Sequence, residues 1–446
     1  MHHEDRDPAP PPPRRTVLRA AAAGLGAVAL GGAAAGCGAV AGAASEPGTL
    51  RYWNLFAGGA GGLMKQMTAE AVKKTPGATV EATVLEWGPP YYTKLSMAAA
   101  GGRGPEVAAM HLSRLAGYAP GGLLEPWDTG LLAEYGVAEH DFDPSIWRRG
   151  HYSGKLYALP LDTHPSIVYF DRKKMDQAGL LDADGRLTGF DSPDAFLDSA
   201  AKLKKRFGVG PVYGHTNDDA QAWRLFWALY GQSGAPFDLS GKKVDLDRDT
   251  AVRVVDFMVK LVRPDSRTYD PPTAVAQFAG RRTPMILSGE WELQTFGTVK
   301  GLALDGAPFP GVFGKSRSYA DSHSLVLPRQ GKPDERRRRL THRWAAELLK
   351  ASLTWAKAGH IPAYRPITAT KAYRELVPQA HYAAAGEEPL LDPAAWFTGA
   401  GSEFQRQMCE ALQTAMVDGD KPERAVDRLT DRLNAMLAKP NPIAGS

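Results

Sequence analysis

The sequence predicts an α/β protein of two lobes, with the chain crossing between them more than once. Two observations carry this. From Leu50 to Met110 the apolar pattern alternates strand, helix, strand, helix, strand, and a second α/β segment opens near Ile167-Val168-Tyr169-Phe170. At 446 residues with 43% hydrophobic content, the chain is also longer than a single core usually serves.

The elements follow in order. Leu50-Arg51-Tyr52-Trp53 opens the globular part as a short strand. Leu63, Met67 and Ala71 have helical spacing, with Glu70 and Lys74 as an i,i+4 pair. Val80, Ala82 and Val84 alternate as a strand, Tyr92 to Ala100 reads as a helix, and Glu106 to Met110 as a buried strand. In the second segment Ser192 caps a helix with Pro193 at its first position and Phe196, Ala200, Leu203 and Phe207 on its apolar face. Trp223, Phe226, Trp227 and Tyr230 form a helical stripe that is mostly core, with Trp223 nearest the loop Thr216-Asn217-Asp218-Asp219 and placed to reach a ligand. Val252, Val255, Val259 and Val262 mark a further helix. Trp344, Leu348 and Trp355 mark another, stopped by Gly359 and Pro362. The last helix starts at a capping box, Asp420-x-x-Glu423, and runs through Leu437.

The N-terminus carries an export signature. Arg14-Arg15 precede an Ala/Gly/Val/Leu run from Ala20 to Ala35, which closes on Gly36-Cys37. Paired arginines before a mild apolar segment read as a twin-arginine signal, and a small-residue stretch ending on cysteine reads as cleavage with Cys37 lipidated. Ala34 stands where such sites more often carry Leu. Residues 1–36 are thus expected to be a signal peptide and 37–48 a small-residue linker. With Cys37 lipidated, Cys409 has no intramolecular partner and reads as a small core residue.

Charge excludes little but points away from nucleic acid. The first 36 residues hold four basic and three acidic side chains, leaving 49 and 46 in the remainder. The run Arg336-Arg337-Arg338-Arg339 follows a helix-start signal and reads as a solvated face.

Candidate chemistry gathers at predicted loops and strand ends. Trp53-Asn54-Leu55-Phe56 runs into a glycine-rich helix start, Trp87 lies in a loop after the second strand, and Glu290-Trp291 follows Met285-Ile286-Leu287. Ligands of open α/β sheets bind outside the carboxyl ends of strands, where these groups fall. Aromatic rings beside carboxylates, histidines and amides suit a carbohydrate, whose C–H face packs on a ring while polar side chains take its hydroxyls. His111, Asp162-Thr163-His164 and Asp321-Ser322-His323 also invite a zinc reading. Their separations are wide and no H-E-x-x-H or C-x-x-C pattern supports them, so no metal and no cofactor is expected. G-x-S-x-G, Walker and dinucleotide motifs are lacking. Asp162, Glu290 and Asp321 leave a surface-anchored glycoside hydrolase as the competing reading, with a binding protein for a non-sugar solute as a third.

From about Leu50 onward the chain resembles the sugar-binding, maltose-binding-protein-like class of extracellular solute-binding lipoproteins that serve ABC importers. The resemblance rests on Tyr52-Trp53-Asn54-Leu55-Phe56 with its glycines, on Tyr91-Tyr92-Thr93-Lys94-Leu95 with Gly104-Pro105-Glu106-Val107, and on Gly154-Lys155-Leu156-Tyr157-Ala158-Leu159-Pro160 with Tyr169-Phe170-Asp171. It continues in Gly280 to Met285 with Gly289-Glu290-Trp291, and in Gly359-His360-Ile361-Pro362-Ala363-Tyr364-Arg365. It implies a periplasmic-binding-protein type II fold with a ligand cleft between lobes, lobe 1 being 49–161 plus 311–375 and lobe 2 being 165–307 plus 379–446. It implies crossings near Asp162-Thr163, near Pro308-Phe309-Pro310 and between Tyr373 and Pro378. It implies ligand contacts from Phe56, Trp87, His111, Asp162, His164, Trp223, Glu290, Trp291, His323 and Arg365, with Trp291 as the main stacking platform. The expected protein is a non-enzymatic monomer, lipid-anchored on the extracytoplasmic face, binding a sugar or oligosaccharide and docking on an ABC importer permease. The two histidine-containing loops set its ligand apart from a simple malto-oligosaccharide.

Overall fold

Residues 48–218, 220–262 and 269–443 are described by the computed structural model of the protein, and no helix among them is long and apolar enough to cross a membrane. The twin-arginine segment, Cys37 and the linker up to residue 47 lie outside the described residues.

The first lobe forms as its pattern dictates. Strand β1 (Thr49–Asn54), helix α1 (Gly58–Lys73), β2 (Thr79–Val84), α2 (Pro89–Ala100) and β3 (Val107–His111) come in the expected order, followed by the short β4 (Leu124–Glu125) and β5 (Ala158–Pro160). The chain leaves β1 for α1 through Gly58 at φ +57°, a backbone state that glycine adopts without a Cβ clash. Pro89 and Pro90 start α2, where a missing N–H costs nothing. Glu70 accepts from Gln66 and Thr354 rather than pairing with Lys74, which caps the end of α1.

The second lobe is entered along β6 (Asp162–Asp171), followed by α3 (Pro193–Phe207), α4 (Gln221–Gln232), α5 (Arg248–Val262), α6 (Pro271–Ala279), β7 (Met285–Gly289), β8 (Leu304–Pro308) and β9 (Ala320–Asp321). The chain then returns through β10 (His323–Pro328), α7 (Glu335–Lys350), α8 (Leu353–Ala356), β11 (Ile361–Pro362) and α9 (Arg365–Thr368), and ends on α10 (Glu403–Met416) and α11 (Pro422–Leu437).

Two mixed sheets result. In one the order is β2-β1-β3-β10-β4, with β5 also on β10; β1 is parallel to β2 and β3, while β10 runs antiparallel to β3. β3 is buried throughout, as a strand covered on both faces should be. In the other the order is β7-β8 about a central β6, and the front of β6 also pairs with β9 and β11. Each sheet has its own apolar core, one built around Tyr52, Trp344 and Trp355, the other around Phe196, Trp223, Phe226 and Leu429.

Several expectations shift. Trp355 sits on α8, separated from Trp344 by a break at Ala351 and Ser352. Pro422 at the first position sets the start of α11, and Asp420 pairs instead with Arg428. The return passage lies at β9–β10 rather than near Pro308-Phe309-Pro310, because Phe309, Val312 and Tyr319 are apolar and still packed in the second core. Residues 311–321 therefore belong with the second lobe. A third passage falls between Tyr364, packed in the first lobe, and Tyr382, packed against the second sheet. Arg337, Arg338 and Arg339 pair with Glu106, Asp128 and Glu134, a solvated helix face as expected.

Trp223 is core, not ligand wall. It is fully buried, stacks on Trp227 at 5.4 Å and donates from Nε1 to Asp392 Oδ1 at 2.8 Å. Burial pushes the Asp392 carboxyl up to about 6, opposed by the Trp223 hydrogen bond and aided by the charge of Asp321. Between the unfolded and folded values the native state holds the extra proton, so this group's stabilisation is present at low pH and is lost as pH rises through about 6. Urea unfolding should show a loss on the order of 3 kcal/mol between about pH 4 and 7 that is absent in Asp392→Asn; equal pH slopes in the two proteins would exclude this assignment.

Candidate functional site

A cleft of about 510 Å³ lies between the two sheets. One wall comes from the carboxyl ends of the three parallel strands: Phe56 after β1, Trp87 after β2 and His111 at the end of β3. The opposite wall comes from the start of α4, from Pro271 and Pro272 at the start of α6, and from Trp291 just beyond β7. His164 on β6, His323 at the start of β10 and His360 before β11 also line it. A larger depression of about 820 Å³ sits elsewhere on the second lobe, but there Arg172 and His381 already share Asp305.

Local chemistry places each ring. Asn54 Oδ1 accepts the Phe56 N–H at 3.1 Å, turning the chain so that Phe56 packs edge-on to His323 and Trp355, both at 4.8 Å. Trp87 is 42% exposed and lines the cleft, edge-on to His111 at 6.4 Å. Gly289 admits Trp291 by close approach: a Cβ there would lie 2.1 Å from the indole ring. Trp291 in turn carries the Arg224 guanidinium at 5.4 Å, and Tyr319 carries it from another side at 5.1 Å. Among the described residues no carboxylate lies within ion-pair distance of Arg224, although it is oriented into the cleft. Residue 224 reaches the cleft because it lies one helical step, about 100°, from Trp223.

Behind the cleft wall sits an acid–imidazole network. Asp162 is fully buried. Its Oδ1 accepts from His164 Nδ1 at 3.0 Å and the His323 backbone N–H at 2.8 Å; its Oδ2 accepts from His323 Nδ1 at 2.8 Å and Trp355 Nε1 at 2.7 Å. Burial would raise the Asp162 carboxyl, but the His323 charge and the two imidazole donors hold it well below the usual range. His323 is raised in return: burial alone would lower it, and Asp162 outweighs that. Burial, with His323 nearby, holds His164 at about 4. Burial holds His360 at about 3, although Asp162 acts the other way. His111 is also driven low by burial and by His323 and His164; Tyr92 accepts its backbone N–H, and the two side chains meet Oη to Nδ1 at 2.6 Å. Glu290 is fully buried beside His360, and burial with the Asp162 charge pushes its carboxyl well up.

Of the ten residues expected at a ligand, Phe56, Trp87, His111, His164, Trp291 and His323 line the cleft. Asp162 and Glu290 lie behind its wall, because β6 and the turn after β7 point them into the crossing. Trp223 is in the core, and Arg365 is exposed on α9 with its guanidinium 3.4 Å from the Phe142 carbonyl. Sequence reasoning passed over Arg224 and His360. The histidine stood inside a quoted motif, and the arginine was hidden by the aromatic stripe around it.

The sequence matches the family of bacterial extracellular solute-binding proteins over residues 28–335. The chain belongs to that family. No curated protein matches the solute-binding protein in sequence. Among solved structures it is similar to the GacH receptor of Streptomyces glaucescens, solved unliganded and with acarbose (17% identity, 88% of this chain and 99% of that one, TM-score 0.74). It is similar to Lmo0181 of Listeria monocytogenes in complex with cycloalternan (16% identity, 89% and 100%, TM-score 0.72) and to the sugar-binding protein MalE of Xanthomonas citri (16% identity, 87% and 97%, TM-score 0.72). These likenesses establish the two-lobed fold of the solute-binding protein.

If Gly289 seats Trp291, Gly289→Ala should displace the indole and cost about 1–3 kcal/mol through overpacking. Near-ultraviolet circular dichroism together with urea unfolding reads both effects; an unchanged aromatic spectrum would refute the close-approach argument.

Proposed function

We propose that this solute-binding protein is a lipid-anchored extracytoplasmic receptor that captures a sugar or oligosaccharide and hands it to the membrane permease of an ABC importer. The observation that carries the reading is the composition of the cleft. Three aromatic side chains, Phe56, Trp87 and Trp291, stand around one space with imidazoles, the Asn217 and Gln221 amides and the Arg224 guanidinium. Rings pack against pyranose C–H faces while such polar groups take hydroxyls. The volume falls within the range of about 300–1,000 Å³ common to small-molecule sites. That the similar structures were solved with acarbose and cycloalternan supports the same ligand class here.

A hydrolase finds less support. Asp321 is engaged by the Ser113 N–H and hydroxyl, Asp162 accepts four hydrogen bonds, and Glu290 is buried behind the wall. None of the three presents an acid or base to the cleft, where general catalysis needs one within hydrogen-bond reach of substrate. Binding by walls from both lobes favours the closed arrangement, which a permease would read. The reading includes a monomer acting without cofactor, with Cys37 as the anchor.

A panel of mono- and oligosaccharides scored by thermal shift and tryptophan quenching should return one sugar class that raises Tm and saturates. For that sugar, Trp291→Ala should weaken binding at least tenfold, about 1.4 kcal/mol, with little change in fold; silence across the panel, or unchanged affinity in the variant, would overturn the sugar reading or the stacking role respectively. Cys37→Ser should move the protein from the membrane fraction to the soluble one, and retention in the membrane would remove the lipid anchor from the proposal.

A further inference from the structure

The network beneath the cleft does not close on itself. Asp162 and His164 come from β6, His323 from the first residue of β10 and His360 from the residue before β11, so three separate chain passages meet. One donor atom from each of the four lies within 4.8 Å of the others. All four residues are at most 6% exposed. The His164 and His323 rings lie 4.0 Å apart, and the His360 ring lies 5.5 Å from that of His323. Four atoms bound to one tetrahedral ion at about 2.0–2.2 Å would lie about 3.3 Å apart, so modest side-chain rotation brings this set onto a metal.

A second observation comes from unsatisfied atoms. His360 Nδ1 and Glu290 Oε1 are 2.6 Å apart, yet their geometry is off-line, and neither makes a hydrogen bond among the described residues. Glu290 Oε2 has no in-line donor, although the backbone N–H groups of Glu290 and Trp291 act on its carboxyl. Buried polar atoms left unpaired are costly, and the unmet His360 nitrogen and Glu290 oxygens lie beside the buried Asp162 cluster, where a further ligand would meet them. A dication there would replace the bonds that the His164 and His323 Nδ1 atoms now make to Asp162, with Asp162 as ligand and the Glu290 carboxyl beside His360 Nδ1.

We propose that Asp162, His164, His323 and His360 form a binding site for a divalent transition-metal ion of the zinc type at the base of the cleft. Three imidazoles and one carboxylate are a four-coordinate set that zinc accepts, whereas calcium and magnesium favour all-oxygen sites. The imidazoles also border the cleft, so an ion there ties the three passages together while facing the space a solute would occupy. The site stands independently of the sugar reading.

The test uses the full chain, untagged, with His2 and His3 changed to asparagine so that the N-terminus offers no competing imidazoles. After stripping with a chelator, Zn²⁺ alone is titrated by calorimetry, and Co²⁺ is titrated by visible absorption. The expected result is one equivalent of zinc, a rise in Tm, and the intense visible bands of tetrahedral cobalt. His323→Asn and His360→Asn should each lower zinc affinity at least about a hundredfold, while His381→Asn, outside the cluster, should bind as the parent does. Absence of saturable zinc binding, weak octahedral cobalt bands, or unchanged affinity in either cluster variant would overturn the site. Should the variants fail to fold by circular dichroism, the cobalt spectrum of the parent decides alone. Sugar titrations are run separately in chelator, so the two readings fail independently.

Discussion

The arrangement of the whole protein depends on one buried carboxylate. Asp162 begins the strand by which the chain first leaves one sheet for the other, and it accepts donors from that strand, from the start of β10 and from α8. Such an acid is expensive to bury unless every lone pair is met. Here the four donors meet it, and in doing so they fix where three chain passages run relative to one another. The short pairings of β9 and β11 with the front of β6 then follow, since Asp321 and Ile361 are brought alongside His164 and Thr163. His323 is held twice, by its backbone N–H and by its ring, so β10 enters the first sheet in one register against His111.

That register explains why the site has imidazoles where it does. His111 ends β3, His323 starts β10, and antiparallel pairing sets them opposite each other with ring centroids 4.7 Å apart. His164 follows because alternation along β6 points residue 164 to the same side as Asp162. Aromatic groups arrive by a different route. Phe56 and Trp87 leave parallel strands at their carboxyl ends, where side chains face the crevice rather than the core. Trp291 leaves β7 in the same sense and lies flat over Gly289, which no residue with a Cβ would allow. Rigid sheets thus hold the cleft, while its polar content is set by a handful of strand termini.

Much of this was legible in the chain. The alternation through Met110, the Ser192-Pro193 helix start and the aromatic stripe of α4 all depend on local pattern, and all form as read. Six of ten proposed contacts line the cleft because strand ends are visible as the last apolar residue before a loop. What failed depended on distance in the chain or on a helical phase angle. Trp223 was assigned by proximity to a loop, but its neighbour Arg224 is the one turned outward, and a one-residue step on a helix cannot be resolved from an all-aromatic stripe. The return crossing was placed at a proline pair, yet Val312 and Tyr319 carry the chain further before it turns.

The histidine cluster shows the same limit from the other side. Metal sites are found in sequence by short spacings on one element, and here the residues 162, 164, 323 and 360 are spread over three passages that only the folded crossing joins. Wide separation therefore argued against a metal for a reason that does not apply to a crossing region, where the fold exists to bring distant segments together. The same geometry bears on how the receptor works. Groups contributed by the crossings at β6 and β10 and by the segment before β11 feel any rotation of one lobe on the other, so their mutual bonds resist opening while they hold. A solute bound as proposed, between Trp87 on one wall and Trp291 on the other, would act across that same joint. A solute in the cleft and an ion at the imidazoles, each as proposed, would therefore both bear on β6, which carries Asp162 and His164.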